Sequence, residues 1–347
     1  MPLQTTAIGA FPKPSYVELP DWFAGDSTAG SDATVATTNL VVTEQLESEV
    51  ARGVHDVVRL QLAAGVDIPT DGEVARENYV HYHCRHLDGI DFNTLTEKVV
   101  RDGTWTAQLP TFVGPVAPRS HFLDADYRIA QAASERPVKM TMPGPLTIMD
   151  STADDYYGSE LTWGHALAEA LNHEVGALVL AGCTQIQIDE PVFARYPQAA
   201  RSYGFDLLEI ALHGVPPCVT TTLHMCCGYP DRLDNPDYPK ADPESYVELA
   251  DLVDRSSIDA VSLEDAHRPN PLQLFERFER TTVVLGSVQI ASSRIEPEDE
   301  IATRVETVLR VLPASRLVLA PDCGLGMLSP DVAVAKLRNI RRAADRF

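Results

Sequence analysis

Basic side chains are scarce in this sequence. It has 28 lysines and arginines against 50 aspartates and glutamates, which gives a formal net charge of −22 and a pI of about 4.7. A phosphate backbone or an anionic lipid surface would repel such a chain. We therefore expect neither nucleic acid nor a membrane as a partner.

Long apolar runs and dense cysteines are also missing. No run approaches the roughly 20 residues of a membrane-spanning helix, and the first residues, MPLQTTAIGAFP, lack a basic stretch followed by an apolar one. The six cysteines lie in strand-like or helical contexts and are too sparse for a disulfide scaffold. We expect a cytoplasmic protein in a reducing compartment.

The sequence does contain a regular alternation of short apolar runs and amphipathic helical stretches, which is typical of parallel β/α folds. Leu46, Val50 and Val54, for example, follow helical spacing in a helix predicted from about 44 to 64. Eight strands are predicted, at 5–11, 67–73, 138–142, 185–191, 218–225, 259–264, 282–288 and 316–322.

This count favours an α/β fold of the (β/α)₈ TIM-barrel type, with residues 1–347 as one domain. A doubly wound open sheet is the alternative, but no G-x-G-x-x-G motif follows a strand. A β-hairpin is expected to leave the barrel around residues 95–120, with Asp102 and Gly103 at its turn.

Residues 219–229, VTTTLHMCCGY, indicate a strand that ends in metal ligands. Alternation along a strand places His224 and Cys226 on the same side of the backbone. Glu264 and Cys323 end two later strands, and catalytic groups of this fold gather at such C-terminal ends. The four side chains would make a tetrahedral zinc set. The alternative is that the cysteines are ordinary core residues.

Several motifs together resemble the C-terminal catalytic barrel of cobalamin-independent methionine synthase over nearly the whole chain. They are TTAIGAFP at 5–12, DGE at 71–73 with REN at 76–78, GPLTI at 144–148, QIDEP at 187–191, HMC at 224–226, SLE at 262–264 and PDCGL at 321–325.

This resemblance implies a zinc ion and a homocysteine site. The implied zinc ligands are His224, Cys226, Glu264 and Cys323. The implied homocysteine contacts are the backbone of Ile8, Gly9 and Ala10 and, near the ammonium group, Glu73 and Asp189. The family usually has serine at the position of Ala10, so a hydroxyl contact is lost there while backbone contacts remain.

The ligand types suit thiol activation. Two thiolates and one carboxylate put three negative charges on Zn²⁺, so a bound thiolate keeps enough charge to attack a methyl carbon. Glu264, the hardest ligand, is the one expected to leave when the substrate sulfur binds. This chemistry agrees with the reaction that the resemblance implies, methyl transfer to homocysteine to form methionine.

Three positions depart from the family and concern the methyl donor. The pterin-stacking tryptophan is replaced within Met149-Asp150-Ser151, a pterin-contacting glutamate aligns near Arg195, and the proton-donating histidine aligns with Ala291. A folate leaving group needs a proton whereas a corrinoid does not. We expect a donor other than methyl-tetrahydrofolate, such as a methylcorrinoid, free or delivered by a corrinoid protein. His267 is a candidate replacement acid; the alternative is an ordinary surface histidine.

Two other function classes remain open. One is a zinc-dependent alkyltransferase acting on another thiol, of the epoxyalkane:coenzyme M transferase type, although Glu73 and Asp189 suit an acceptor with an ammonium group. The other is a non-catalytic binding module. The crowded residues His81, His83, Cys84 and His86 offer the donors of a second metal site, but we expect them to be structural because no motif ties further ligands to them.

Overall fold

The structure is a computed structural model. It describes residues 2–20, 43–100, 105–230, 232–235 and 237–347. The strands are numbered β1 to β10 in chain order: β1 Gln4–Thr5, β2 Leu87–Val100, β3 Trp105–Pro118, β4 Met140–Pro143, β5 Ala153–Asp154, β6 Gln185–Asp189, β7 Thr220–Met225, β8 Ala260–Leu263, β9 Thr282–Gly286 and β10 Leu317–Ala320.

The main sheet has seven strands in the order β1-β10-β9-β8-β7-β6-β4, and every pair is parallel. From β10 to β4 the strands lie in reverse chain order, and β1 lies beside β10. The sheet therefore lacks the change of direction that a doubly wound sheet requires, and the doubly wound alternative is wrong. Ile8, Ala260, Val284 and Ala320 pack together as a small apolar cluster on one face of this sheet. The fold is thus α/β with a curved parallel sheet.

The segment predicted as the second strand differs from the prediction. Residues 67–73 are not assigned as a strand, but two isolated parallel bridges lie there, one joining Thr6 to Ile68 and one joining Thr70 to Lys139. They lie between the two outer strands of the sheet, β1 and β4. The segment does not continue as a strand because Gly72 and Glu73 both have positive φ, which takes the chain out of the extended conformation.

Helices fill the connections between the parallel strands. They are Glu44–Ala63, His81–Cys84, Leu123–Gln131, Pro145–Asp150, Glu160–Leu180, Pro191–Arg195, Pro197–Ala199, Phe205–Ala211, Glu244–Arg255, Leu272–Glu276, Glu298–Val308 and Pro330–Ala344, with a π-helical turn Ala200–Gly204 and a 3₁₀ turn Ala314–Arg316. The hydroxyls of Thr43, Ser159 and Ser329 accept backbone N–H bonds and cap three of them. None of the helices in the described ranges is long and apolar enough to cross a bilayer.

The predicted hairpin is confirmed and is longer than expected. Strands β2 and β3 pair antiparallel, and β3 also pairs with the short β5. The predicted turn at Asp102 and Gly103 lies outside the described residues. Lys98 on this hairpin donates to the carbonyls of Met149 (2.7 Å) and Thr152 (3.1 Å), so the hairpin is fastened to the C-terminal end of the helix Pro145–Asp150.

Candidate active site

A small cavity of about 110 Å³ lies at the C-terminal ends of the parallel strands. Eight of the residues predicted from the sequence line it: Ile8, Gly9, Ala10, Glu73, Asp189, His224, Cys226 and Cys323. A larger cavity of about 1350 Å³ opens at the opposite end of the sheet, beside residues such as Gln4, Gln185 and Thr282. None of the predicted zinc ligands or homocysteine contacts lines that larger cavity. Catalytic groups of such folds gather at the C-terminal ends of the strands, so the small cavity is the candidate active site.

Three of the four predicted zinc ligands meet in this cavity. The nitrogen of His224 and the sulfurs of Cys226 and Cys323 lie within 4.8 Å of one another. His224 Nε2 lies 3.3 Å from Cys323 Sγ. Hydrogen bonding from the Cys323 thiol, with a further contribution from His224, holds the pKa of Cys226 well below its usual value despite burial. One thiolate is therefore favoured by the protein itself.

Ser262 orients the imidazole. Its Oγ lies 2.9 Å from His224 Nδ1, and β8 carries it directly beside His224 because the two residues are register partners. A hydrogen bond at Nδ1 fixes the ring so that Nε2 faces the sulfurs, which is the usual arrangement for a metal-binding histidine. Cys227 points away from the cavity, is buried, and its sulfur accepts from Arg268, as a structural thiol would.

Glu264 is not grouped with these three donors. Its Oε1 accepts from the Cys227 N–H (2.9 Å) and its Oε2 lies 3.1 Å from Lys240 Nζ. Burial, together with the charges of Asp322 and Cys226, raises the pKa of Glu264 to about 8. The carboxylate adjoins the site but is held by other partners.

His267 is not a surface histidine, so that alternative was wrong. Only 7 % of its side chain is exposed, and its Nδ1 lies 2.6 Å from Asp322 Oδ2. Its Nε2 accepts the N–H of Ala291 (3.2 Å), the residue that aligns with the family's proton donor. His267 is absent from the cavity lining, and a role as acid would require the Ala291 bond to open.

Glu73 lines the cavity and belongs to a buried polar network. Arg76 donates to Glu73 Oε1 (3.1 Å) and to Thr141 Oγ1 (3.0 Å), and the Thr141 hydroxyl donates to the same Glu73 oxygen (2.8 Å). Burial nevertheless raises the pKa of Glu73. A side chain at Gly9 would meet Glu73 Oε1 at 2.6 Å, so glycine lets the carboxyl pack against the backbone of the cavity.

Asp189 is the second carboxyl of the cavity. Gln187 donates through one nitrogen to Asp189 Oδ1 and to the carbonyl of Ile8, both at 2.7 Å, and so links the two segments. Burial raises the pKa of Asp189 to about 7. Glu73 and Asp189 therefore offer two carboxyl groups whose ionised forms would gain from a cation placed between them.

The cavity lining also includes the side chains of Tyr79, Tyr229 and Arg195, which were not among the predicted ligands or homocysteine contacts. Tyr229 donates to the carbonyl of Gly324 (3.0 Å), and Arg195 forms an ion pair with Asp150 (3.2 Å). Tyr79 and Tyr229 follow the REN and HMC motifs by one and three residues, and this proximity is the only sequence signal that pointed to them.

The histidines of 81–86 do not converge. His81 Nε2 lies 3.1 Å from the Ser151 carbonyl, His83 Nδ1 lies 2.9 Å from the Tyr79 carbonyl, and His86 stacks on Phe122 at 3.9 Å between ring centroids. Burial lowers the pKa of His81 to about 4, which indicates a neutral core histidine. These contacts support the structural interpretation of the cluster.

Residues 3–346 match the family model described as the catalytic domain of cobalamin-independent synthase. The chain belongs to this family. The resemblance noted in the motifs is thereby confirmed. Methionine synthases of Sulfurisphaera tokodaii and Saccharolobus solfataricus are both 26% identical to the chain, over 97% and 96% of its length and 90% and 92% of theirs.

Solved structures show the same relationship. A B12-independent methionine synthase from Shewanella sp. W3-18-1, in complex with selenomethionine, matches with a TM-score of 0.87 and 28% identity, covering 100% of this chain and 98% of that one. A methyltransferase from Methanosarcina mazei matches with a TM-score of 0.59 and 15% identity over 100% and 94% of the two chains. At that identity the second match indicates the fold alone.

Proposed function

We propose that the protein is a zinc-dependent methyltransferase that methylates the thiol of homocysteine to form methionine. The observation that carries this proposal is the meeting, in one cavity, of two cysteines and a histidine with two buried carboxyl groups. Soft donors suit an ion that activates a thiol, and paired carboxylates suit an amino-acid ammonium group. Membership of the synthase family supports the same reaction.

The donor set fits zinc. His224, Cys226 and Cys323 would hold the ion, with Glu264 as the fourth, exchangeable ligand. Zinc held there would lower the pKa of an incoming thiol. The protein contributes orientation through Ser262, which fixes the imidazole.

Lys240 and the Cys227 N–H supply a place for the Glu264 carboxylate when it is off the metal. Exchange of Glu264 would then cost little, because the departing oxygen atoms keep charge-assisted partners.

Homocysteine would lie with its ammonium group between Glu73 and Asp189 and its sulfur toward the cysteines. The C–S bond forms between that sulfur and the donor's methyl carbon while the bond from methyl to donor breaks. The thiol proton passes to solvent, and the electron pair stays on the leaving group. A methylcorrinoid satisfies this balance without an acid, which suits a site where Ala291 stands at the family's acid position and His267 Nε2 already accepts an N–H.

We also propose the closed eight-stranded barrel and a cytoplasmic location. The two bridges through Ile68 and Thr70 support closure, since they lie between β1 and β4. All six cysteines are free, as expected in a reducing compartment.

Metal analysis and titration test the proposal. The wild-type protein should carry about one zinc in this site, and Cys226→Ser should empty it, whereas Cys227→Ser is the matched control that should retain it. Homocysteine should bind with proton release and add one sulfur neighbour to the zinc-edge spectrum. Full zinc in Cys226→Ser, or tighter binding of coenzyme M than of homocysteine, would contradict the proposal.

A further inference from the structure

Two histidines and a glutamate outside the candidate active site form a separate cluster. His121 Nδ1 lies 3.1 Å from Glu174 Oε1, and the rings of His121 and His173 stack with centroids 4.1 Å apart. Donor atoms of all three residues lie within 4.8 Å of one another. The cluster joins the segment that follows β3 to the long helix Glu160–Leu180, and none of its members lines the active-site cavity.

The carboxylate of Glu174 is buried, and within the described residues no lysine or arginine lies beside it. The residue is 3% exposed, and its Oε2 accepts the N–H groups of Phe122 and Leu123, both at 3.3 Å. Within the described ranges, the one ion pair of Glu174 is with His121, and no lysine or arginine pairs with it. A buried carboxylate needs a paired charge or a metal ion to offset its lost hydration.

The spacing of the donor atoms suits one metal ion. Two ligands of a tetrahedral ion with bonds of about 2.0–2.2 Å lie about 3.3–3.6 Å apart, a few tenths of an ångström more than the 3.1 Å between His121 Nδ1 and Glu174 Oε1. His173 is exposed, so a small rotation of its side chain can bring a ring nitrogen into the same shell. The backbone bonds to Oε2 hold the carboxylate in place, as outer-shell partners of metal ligands do.

We propose that His121, His173 and Glu174 form a second metal site, for a divalent transition ion of the zinc class. Two imidazoles and a carboxylate are the donors that such ions accept, and hard ions such as Mg²⁺ would prefer oxygen alone. The ion would fasten the segment after the hairpin to the helix Glu160–Leu180. This proposal is independent of the function proposed for the active site.

Cobalt(II) added to the untagged, zinc-loaded protein tests the site, because the two centres have different spectra. Cobalt in the cysteine site would give a sulfur-to-metal charge-transfer band, whereas a site of two histidines and a glutamate would give visible ligand-field bands alone. We expect one equivalent of cobalt to bind with ligand-field bands alone, and we expect the metal to raise the melting temperature of the protein.

Variants assign the signal to residues. His121→Asn and His173→Asn should each weaken cobalt binding at least tenfold, while Cys226→Ser should leave the ligand-field signal unchanged. His165→Asn is the matched control, because His165 is exposed on the same helix about two turns earlier. Absence of the ligand-field signal in the wild type, equal affinity in all variants, or an equal loss in His165→Asn would overturn the proposal.

Discussion

Replacement of Arg76 by methionine should strongly destabilise the protein. The arginine side chain is 1% exposed and donates to Glu73 Oε1 (3.1 Å), Thr141 Oγ1 (3.0 Å) and the Thr141 carbonyl (2.8 Å), with Asp71 Oδ2 at 3.7 Å. Methionine would fill most of the volume but leave two buried carboxylates without a cation. Breaking a buried pair in this way costs about 3–5 kcal/mol in the free energy of unfolding.

The stability lost in Arg76→Met should be larger at higher pH. Burial raises the pKa of Glu73, and Arg76 opposes this rise, so removing the arginine raises the pKa further. Between the ordinary glutamate value and the raised value, the folded protein binds more protons than the unfolded chain. Stability from this group is therefore full at low pH and is lost as pH rises through the folded-state pKa. We expect the gap between the wild type and Arg76→Met to be smaller at pH 5 than at pH 8.

Urea denaturation at both pH values measures this gap. The double variant Arg76→Met with Glu73→Gln is the control, because it removes one of the stranded charges and should recover at least about 1 kcal/mol relative to Arg76→Met alone. A loss below about 1 kcal/mol, or no recovery in the double variant, would refute the role assigned to this ion pair.

Three further predictions concern the reaction. Lys240→Met should free the Glu264 carboxylate for the metal and so weaken homocysteine binding several-fold; unchanged binding, together with an unchanged zinc-edge spectrum, would contradict the exchange described above. Methionine, which has no thiol to titrate, should bind more tightly as pH rises through about 7 because Asp189 ionises there, and Asp189→Asn should abolish this dependence. Methylation from a methylcorrinoid should be more than tenfold faster than methylation from methyl-tetrahydrofolate, and tenfold corresponds to about 1.4 kcal/mol in activation free energy. Equal turnover with the two donors would contradict the donor assignment.

Much of the site was predictable because it depends on position along strands. His224 and Cys226 share a side of β7 through the two-residue period, and Asp189 lies opposite His224 as its register partner. Cys323 follows β10 in the same way. Once the strands were known to be parallel, their C-terminal ends had to meet.

Side-chain partners were not predictable in this way. The Glu264 carboxylate bonds to Lys240 rather than joining the other donors, and His267 is buried against Asp322 and Ala291. These contacts join residues 24–55 positions apart, and they depend on rotamers that sequence periodicity does not specify.

By itself, the sequence determined the β/α alternation, the family and the residues at the strand ends, because each depends on local periodicity or on short motifs. Only the tertiary structure decided which donors converge and which are held elsewhere. The tertiary structure also brings Arg76 into hydrogen-bonding contact with Glu73 and Thr141, and Glu174 into contact with His121. The physical reason is that burial makes an unpaired charge costly, so each buried carboxylate takes the nearest donor that folding brings to it, whatever the separation along the chain.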